Sequence, residues 1–324
     1  MDSITICTVC TDDFDILNKN ISYTEKNNKI NIKWLVTINQ YFPNKEKHLN
    51  IKSNIKFIKG FPEGEIESIS LDHSIGLNKT INFISTRYAV FLDPDFFILK
   101  KNSIIDVLDY MKENDLSLFG VPWHPKWHNK YRYFPCSHCL FLDLIKIEPK
   151  NIDFRPTLVR WNRDINFIGM KQKTNPLKNL IKAIFGKSII NVISYLTYNR
   201  KSNNWDGDTC SRLYIKYFFD KNIKYEMPKP IFIIKYDWLI PLNWSLNKLI
   251  ECFLSESLCY FPKKNDFIKF DNSFGIFVSS FNFESFFWKE KYFGFHIRGY
   301  PKIYRDKEDE LEKINKIIQY YNKL

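Results

Sequence analysis

The chain has 324 residues, of which 44% are hydrophobic and 17% aromatic, so it is long and apolar enough to fold around a sizeable core. Its formal charge of +12 favours partners that carry phosphate, but AT-rich codons also encode Lys, Asn and Ile, so the charge alone selects no partner. Seven cysteines form no framework of the kind that small secreted domains use. With no evident signal peptide or spanning segment, we expect a cytoplasmic protein.

The first half of the chain alternates strand patterns with helix patterns. Apolar and β-branched runs predict strands at 4–10, 32–38, 55–58, 88–92 and 116–121. Apolar residues at helical spacing predict helices near 72–86 and 103–114. This alternation predicts an α/β fold with a mostly parallel sheet and helices on both faces, in which ligands bind beyond the carboxyl ends of the strands.

The second half is less regular. Helices are predicted at 177–198, from Asp208 to about Asp220, and at 305–322. The helix at 177–198 carries lysines beside an apolar face, so it either packs on its own domain or lies on an anionic membrane surface. We expect a first domain at 1–225 and a C-terminal extension at 226–324 that packs on it.

Two carboxylates follow the fourth predicted strand, in the segment Asp93-Pro94-Asp95. Residues two apart in an extended segment point the same way, so both carboxylates can face one hard cation such as Mg²⁺ or Mn²⁺. A polar turn is the alternative interpretation, because Asp-Pro-Asp is also common turn chemistry. The apolar pairs Phe91-Leu92 and Phe96-Phe97 on either side favour a functional position over a casual surface turn.

A helix that contains Gly76-Leu77-Asn78 precedes the strand that ends in Asp93-Pro94-Asp95, and this combination resembles family-2-type glycosyltransferases of the GT-A fold. The order of elements is similar over residues 4–121, with looser similarity to about 215 and at 296. The resemblance implies a nucleotide-sugar donor, a divalent metal (Mn²⁺ or Mg²⁺) and inverting transfer to a hydroxyl of a glycan or lipid-linked acceptor. Polysaccharide biosynthesis is the process that it implies.

The resemblance also implies roles for residues around the metal. Asp93 is expected to contact the donor ribose or the metal, and Asp95 to ligate the metal through the diphosphate. His296 lies where several GT-A enzymes place an additional metal ligand, although a lone histidine among aromatic residues is more often structural. Arg298 is expected to bind the diphosphate with both arms of its guanidinium, and Asn78 to contribute to donor binding.

The donor pocket is expected where the first two strands end. In the family the first strand ends near the nucleotide base, which assigns Thr8, Cys10 and either Asp12 or Asp13 to this pocket. Family members usually carry an acid after the second strand, and in this chain Asn39 is the nearest polar residue. That departure leaves the identity of the base open.

A general base is expected near residue 208. Inverting transferases need a carboxylate that deprotonates the acceptor hydroxyl, and such enzymes carry an acid at the start of a helix with an Arg within two turns. Asp208 fits because the pattern Asp-Thr-x-x-Arg-Leu begins there, and Asp206 fits because it lies six residues before Arg212. Helix capping is the structural alternative for either aspartate.

The segment 121–139 is rich in aromatic residues, histidine and cysteine. His124, His128, Cys136 and Cys139 are compatible with a structural zinc site, which takes tetrahedral nitrogen and sulfur ligands. We favour an acceptor-side loop, in which aromatic rings stack on sugar faces and the histidines make hydrogen bonds, as in the same region of similar transferases.

Three other functions stay open. A nucleotidyltransferase also uses paired acids and a metal, but it releases pyrophosphate. A non-catalytic glycan-binding protein can share the same fold. A nucleic-acid-binding protein would suit the charge, but the basic residues are spread along the chain and form no recognised module, so we expect no specific nucleic acid partner.

The helix at 177–198 would give peripheral membrane contact if the acceptor is lipid-linked.

Overall fold

The computed structural model describes residues 3–40, 44–50, 52–61, 69–124, 134–156, 209–218, 220–234, 267–269, 283–297 and 307–321. Several predicted features lie outside these ranges: His128, the helix at 177–198, Asp206, Asp208 and Arg298. Within these ranges, the helices are too short or too polar to cross a lipid bilayer.

Strands and helices alternate through the first half of the chain, and strands dominate the described part of the second half. In chain order the elements are β1 (Ser3–Cys10), α1 (Phe14–Asn27), β2 (Asn31–Ile38), β3 (Ile55–Lys59), α2 (Ile69–Ile81), β4 (Tyr88–Leu92), β5 (Phe96–Ile98), α3 (Ser103–Glu113), β6 (Leu118–Gly120), β7 (Cys139–Asp143), α4 (Ser211–Tyr217), β8 (Tyr225–Glu226), β9 (Lys229–Ile234), β10 (Phe267–Lys269), β11 (Phe283–Trp288), β12 (Lys291–Ile297) and α5 (Lys307–Tyr321). Short 3₁₀ turns lie at Lys45–His48 and Pro149–Asn151.

The first sheet has seven strands in the order β3-β2-β1-β4-β7-β6-β8. Strands β3, β2, β1 and β4 are parallel, whereas β7 runs antiparallel to both β4 and β6. The carboxyl ends of β1, β2 and β4 therefore meet at one edge of the sheet. This edge is where a ligand of an open α/β sheet binds.

Helices cover both faces of the first sheet. Side chains of a strand point to opposite faces in turn, so alternate residues of β4 enter different cores. Val90 and Leu92 lie in the core formed with α1 and α3. Ala89 and Phe91 lie in the core formed with α2 and α4. A fully buried Val, Leu or Phe side chain contributes about 1.5–3 kcal/mol to folding, so both faces stabilise the sheet.

The second sheet has five strands in the order β10-β9-β11-β12-β5. Strand β5 comes directly after the Asp93-Pro94-Asp95 segment and pairs antiparallel with β12, with Phe96 opposite His296. Helix α5 covers this sheet with an apolar face that includes Ile314 and Ile318. The second sheet therefore brings C-terminal residues to the aspartates that follow β4.

The predicted α/β fold, with a mostly parallel sheet and helices on both faces, is confirmed. The first four predicted strands agree with the structure to within one residue at each end, and the helix predicted at 72–86 lies at Ile69–Ile81. Helix α1 and the second sheet were not predicted. The proposed domain boundary at residue 225 falls within β8, and the division into two domains stays a prediction.

Candidate metal and donor site

The aspartates after β4 lie in a turn that is held on both sides by backbone hydrogen bonds. Asp93 N–H donates to the carbonyl of His138, at 3.0 Å, and Phe96 N–H donates to the carbonyl of Asp93, at 3.1 Å. Ile297 N–H donates to the carbonyl of Asp95, also at 3.1 Å. The turn is therefore fixed between the start of β7 and the end of β12.

Asn20 of α1 stabilises the same turn through side-chain hydrogen bonds. Its Nδ2 donates to the carbonyls of Pro94 and Phe96, at 2.9 and 2.8 Å. Thr24 Oγ1 donates to Asn20 Oδ1 at 3.0 Å, which fixes the orientation of the amide. Asn20 is buried, so these bonds satisfy polar groups that would otherwise be orphaned in the core.

The two carboxylates converge on one histidine nitrogen. His296 Nε2 lies 3.1 Å from Asp95 Oδ1 and 3.7 Å from Asp93 Oδ2. A second histidine is close, because His138 Nδ1 lies 2.6 Å from the same Asp93 Oδ2. One ligand atom from each of Asp93, His138 and His296 lies within 4.8 Å of the other two, so these residues can hold a metal ion.

A buried glutamate orients His296. Glu284 lies opposite His296 in the β11–β12 ladder, and its side chain has no solvent exposure. Its Oε2 lies 3.2 Å from His296 Nδ1 and can only accept when ionised, so Nδ1 carries the hydrogen. Nε2 is thereby left facing the aspartates. Metal-binding histidines are commonly oriented by a carboxylate in this way.

Electrostatic coupling shifts the pKa values of Asp93 and His296. Burial raises the pKa of Asp93, but His138 and His73 act against it and bring that pKa well below its usual range. Burial lowers the pKa of His296, but Asp95 and Glu284 raise it to about 9. A raised pKa keeps a proton on His296 near neutral pH, and metal binding requires the loss of that proton.

The donor atoms of this cluster fit a divalent cation. Carboxylate oxygens and imidazole nitrogens are ligands of divalent first-row metals. Asp93 Oδ1 is buried and accepts no hydrogen bond in the described structure, although His73 Nε2 lies 3.4 Å away at an ion-pair distance. An orphaned carboxylate oxygen is costly to bury, and a cation would satisfy it.

The structure brings the three predicted metal ligands Asp93, Asp95 and His296 together. Sequence patterns did not reveal His138 and Glu284 as members of the cluster. Each lies across a strand pair from a predicted ligand. Glu284 pairs directly with His296. His138 precedes Cys139, which pairs with Leu92, the residue before Asp93. Polar residues at the ends or in the middle of apolar strands were the available signal.

Residues predicted for the donor pocket lie at the same sheet edge. Thr8, Cys10 and Asn39 are buried, and neither Thr8 Oγ1 nor Asn39 Oδ1 has a hydrogen-bond partner in the described structure. Asp12 is more exposed, and its Oδ1 lies 3.0 Å from Lys45 Nζ. Their roles in donor binding stay predictions.

Asn78, the other predicted donor contact, links α2 to the segment after β7. Its Nδ2 donates to Asp153 Oδ1 at 3.0 Å, and its Oδ1 accepts from Phe154 N–H at 3.0 Å. Arg212, from the predicted general-base pattern, reaches the same carboxylate, with Nη1 3.0 Å from Asp153 Oδ2. These contacts join α2 and α4 to the segment that contains Asp153. The proposed role of Asn78 in donor binding stays a prediction.

Three of the four residues considered for zinc, His124, Cys136 and Cys139, lie among the described residues. His124 Nε2 lies 3.0 Å from the carbonyl of Ile231, in the second sheet. Cys136 and Cys139 are buried thiols, and burial, together with Asp93, raises the pKa of Cys139 well above its usual value. Zinc needs the thiolate. Among the described residues, the group that can hold a metal includes none of these three.

Comparisons with known proteins return structural matches only, since no protein family and no curated protein matches the sequence. A mannosyltransferase, PcManGT from Pyrobaculum calidifontis in complex with GDP-Man and Mn²⁺, is 6% identical over 47% of this chain and 47% of its own, with a TM-score of 0.37. S. aureus TarS 1–349 in complex with UDP is 11% identical over 48% of this chain and 50% of its own, with a TM-score of 0.34. The galactosyltransferase LgtC, in complex with donor and acceptor sugar analogs, is 16% identical over 43% of this chain and 58% of its own, with a TM-score of 0.31.

The chain thus spans about half the length of the solved structures it matches. Glycosyltransferases are among these structures, and the resemblance seen in the sequence is to the same class of enzyme. Likenesses this low establish no activity for this chain, so its function must be argued from the site.

Proposed function

We propose that the protein is a metal-dependent glycosyltransferase. It moves a sugar from a nucleotide-sugar donor to a hydroxyl of a glycan or lipid-linked acceptor, with inversion at the anomeric carbon. The observation that carries the proposal is the convergence of Asp93 and Asp95 on His296 Nε2, at 3.7 and 3.1 Å. Two aspartates in a casual surface turn would not be aimed at one buried nitrogen.

Asp93, Asp95 and His296 are the residues that would hold the divalent metal, Mn²⁺ or Mg²⁺. When bound, the metal supplies Lewis-acid stabilisation of the negative charge that develops on the departing diphosphate. The side chain of Asp95 is 22% exposed, against 12% for Asp93 and 6% for His296. Asp95 is therefore the most accessible of the three to a diphosphate.

Other residues are proposed to bind the donor. Arg298 would hold the diphosphate, because a guanidinium can pair with two phosphate oxygens at once. Thr8, Cys10, Asp12, Asn39 and Asn78 are proposed contacts of the nucleotide. The orphaned buried oxygens of Thr8 and Asn39 at the carboxyl ends of β1 and β2 support a polar ligand there.

Asp208, or Asp206 in its place, is proposed as the general base. It takes the proton of the acceptor hydroxyl while that oxygen bonds to the anomeric carbon, the bond from that carbon to the diphosphate breaks, and the nucleoside diphosphate leaves. Thr209, the described residue that follows Asp208, is joined to α2 by a hydrogen bond. Thr209 Oγ1 donates to the carbonyl of Ser70 at 3.1 Å, one helical turn before His73 in α2.

The experiment that tests the proposal is a panel of nucleotide-sugars with Mn²⁺, measured first by thermal shift and then by product release. We expect one donor to raise the melting temperature only with metal, and a nucleoside diphosphate to be released when acceptor is added. Release of pyrophosphate instead would identify a nucleotidyltransferase. Glycan binding that persists without turnover, in wild type and Asp95→Asn alike, would identify a non-catalytic sugar-binding protein.

A lipid-linked acceptor is proposed alongside a soluble glycan because the predicted helix at 177–198 carries Lys178, Lys182 and Lys187 beside apolar residues. Such a helix would bind anionic vesicles in proportion to its charge. Co-sedimentation with anionic vesicles should fall when these three lysines are changed to Gln. Equal sedimentation of both proteins would exclude this contact.

A further inference from the structure

We infer that His138 is also a ligand of the bound metal, so that the site offers two imidazole nitrogens and prefers a later transition metal such as Co²⁺ or Zn²⁺ over Mg²⁺. The inference rests on the metal-binding part of the proposed function and does not depend on the sugar chemistry. It deepens that proposal because a pair of aspartates alone would accept Mg²⁺ or Mn²⁺.

The position of His138 is fixed by the first sheet. It comes directly before β7, and its carbonyl accepts the N–H of Asp93 at the end of the β4–β7 ladder. The ring contacts Trp123 edge to face, with centroids 4.6 Å apart, and lies 4.4 Å from the ring of His296. A buried ring between two aromatic neighbours has few alternative rotamers, so its nitrogen is held in place before any ion arrives.

The distances suit one shared ion after a small adjustment. Metal–nitrogen and metal–oxygen bonds of about 2.0–2.2 Å keep two ligand atoms of one ion about 3–4 Å apart. His296 Nε2 already lies 3.7 Å from Asp93 Oδ2. His138 Nδ1 lies 2.6 Å from that oxygen, which is a hydrogen-bond distance, so the pair must separate by roughly half an ångström when an ion replaces the proton.

The donor set determines which ion is favoured. Imidazole nitrogen suits Zn²⁺, Co²⁺ and other transition metals, whereas Mg²⁺ prefers an octahedron of oxygens and loses its waters reluctantly. Asp93 and Asp95 would supply oxygen, and His138 and His296 would supply nitrogen. Two nitrogens among four protein ligands therefore favour the later first-row metals over Mg²⁺.

A rival role for His138 is to orient Asp93 by donating a hydrogen bond, without touching the ion. The variant His138→Gln separates the two roles, because its side-chain amide can still donate to a carboxylate but is a poor ligand for Co²⁺. His48→Gln is the matched control, since His48 is exposed and stacks on Phe14 of α1.

The test is a titration of the full chain with Co²⁺ alone, measured by visible absorption and by calorimetry, for wild type, His138→Gln, His296→Gln and His48→Gln. We expect wild type and His48→Gln to bind one Co²⁺ with the same spectrum. His138→Gln should weaken Co²⁺ binding by more than about 10-fold and shift the absorption bands, because even the outer partners of a ligand change affinity by about 10- to 100-fold.

Two results would overturn the inference. The first is Co²⁺ binding by His138→Gln with wild-type affinity and spectrum, which would leave His138 as an orienting residue only. The second comes from a matching calorimetric titration of wild type with Mg²⁺ alone, and it does not depend on the folding of His138→Gln. Binding of Mg²⁺ as tight as that of Co²⁺ would overturn the inference. Wild type that binds no divalent ion would instead refute the metal part of the proposed function, so the two failures are distinguishable.

Discussion

Asp93 is a buried carboxylate and Asp153 a partly buried one, and the pKa values of both lie below the usual range, but different partners hold them there. Burial raises the pKa of each. His138 is among the groups that lower it for Asp93, whereas Arg155 and Arg212 lower it for Asp153. An imidazole can give up its proton and offer its nitrogen to a cation, and a guanidinium cannot.

The two carboxylates also differ in how completely they are bonded. Asp153 Oδ1 accepts from Asn78 and from the backbone of Arg155, and Oδ2 accepts from the side chains of Arg155 and Arg212. Asp93 Oδ1 accepts no hydrogen bond in the described structure. A saturated carboxylate with permanent cations joins structural segments, whereas an orphaned carboxylate oxygen beside histidines suits the metal-binding role that we propose for Asp93.

The largest expected effect is at Asp95. Asp95→Asn removes one of the charges that would hold the metal, so we expect product release to fall by about 10²- to 10³-fold and the Mn²⁺-dependent rise in melting temperature to disappear. Asp109→Asn, an exposed change on α3, serves as the control and should leave both unchanged. Near-normal turnover in Asp95→Asn would mean that the aspartates after β4, like Asp153, have only a structural role.

A smaller effect is expected at Glu284. Glu284→Gln keeps an acceptor for His296 Nδ1 but loses the negative charge, so we expect Mn²⁺ affinity to fall by about 10- to 100-fold with kcat at saturating Mn²⁺ little changed. Isothermal titration calorimetry measures the affinity. Glu290→Gln, an exposed change on the same β-hairpin, should bind Mn²⁺ normally. Equal affinities in both variants would mean that Glu284 has only a packing role.

Asn20→Ala should affect both folding and the site. The substitution leaves the carbonyls of Pro94 and Phe96 without their donor, so we expect a loss of about 2 kcal/mol in the free energy of unfolding and weaker Mn²⁺ binding. Asn18→Ala, in the same helix, removes a bond to the carbonyl of His48 and should lower stability without changing Mn²⁺ affinity. If both variants bind Mn²⁺ alike, the turn does not depend on Asn20.

The smallest effect is expected at Asp153. Its pKa is lower in the folded than in the unfolded chain, so its contribution is present above about pH 4, the unfolded value, and is lost as the pH falls through the folded value. Asp153→Asn should therefore be about 1 kcal/mol less stable at pH 7, after allowance for solvent screening, and approach wild type in acid. Urea unfolding at several pH values measures this difference.

The control for that pH profile is Asp115→Asn, because Asp115 is exposed and pairs with Lys146 and Lys224 on the surface. Its unfolding midpoint should stay closer to wild type than that of Asp153→Asn at every pH, because exposed ion pairs contribute little to stability. A constant deficit of Asp153→Asn across the pH range would show that packing, and not the ionised carboxylate, joins these segments.

Local signals in the sequence located the strand that leads into the candidate site. Strand β4 was predicted at its observed bounds, and the aspartates after it follow from that assignment. Strand periodicity and paired acids are local properties, so both can be recognised without knowledge of the fold. His296 was included because a resemblance, and not a pattern, pointed to it.

The remaining parts of the site depend on contacts between distant segments. His138 joins the cluster through the pairing of β7 with β4, and Glu284 through the pairing of β11 with β12. The register of such a pair cannot be determined from the sequence of one strand alone. Asn20 was missed with α1, because the many Asn and Lys residues of Phe14–Asn27 obscure its apolar face. The predicted general bases Asp206 and Asp208 lie outside the described residues.

The pairing of β12 with β5 affects the order in which parts of the candidate site form during folding. The contact between His296 and Asp95 joins residues 201 positions apart, whereas β1 to β4 lie within the first 92 residues. Closing so long a loop is entropically costly and slow relative to local pairing. A refolding chain should therefore recover helical ellipticity first and the capacity to sequester an ion only later, when its last strand docks.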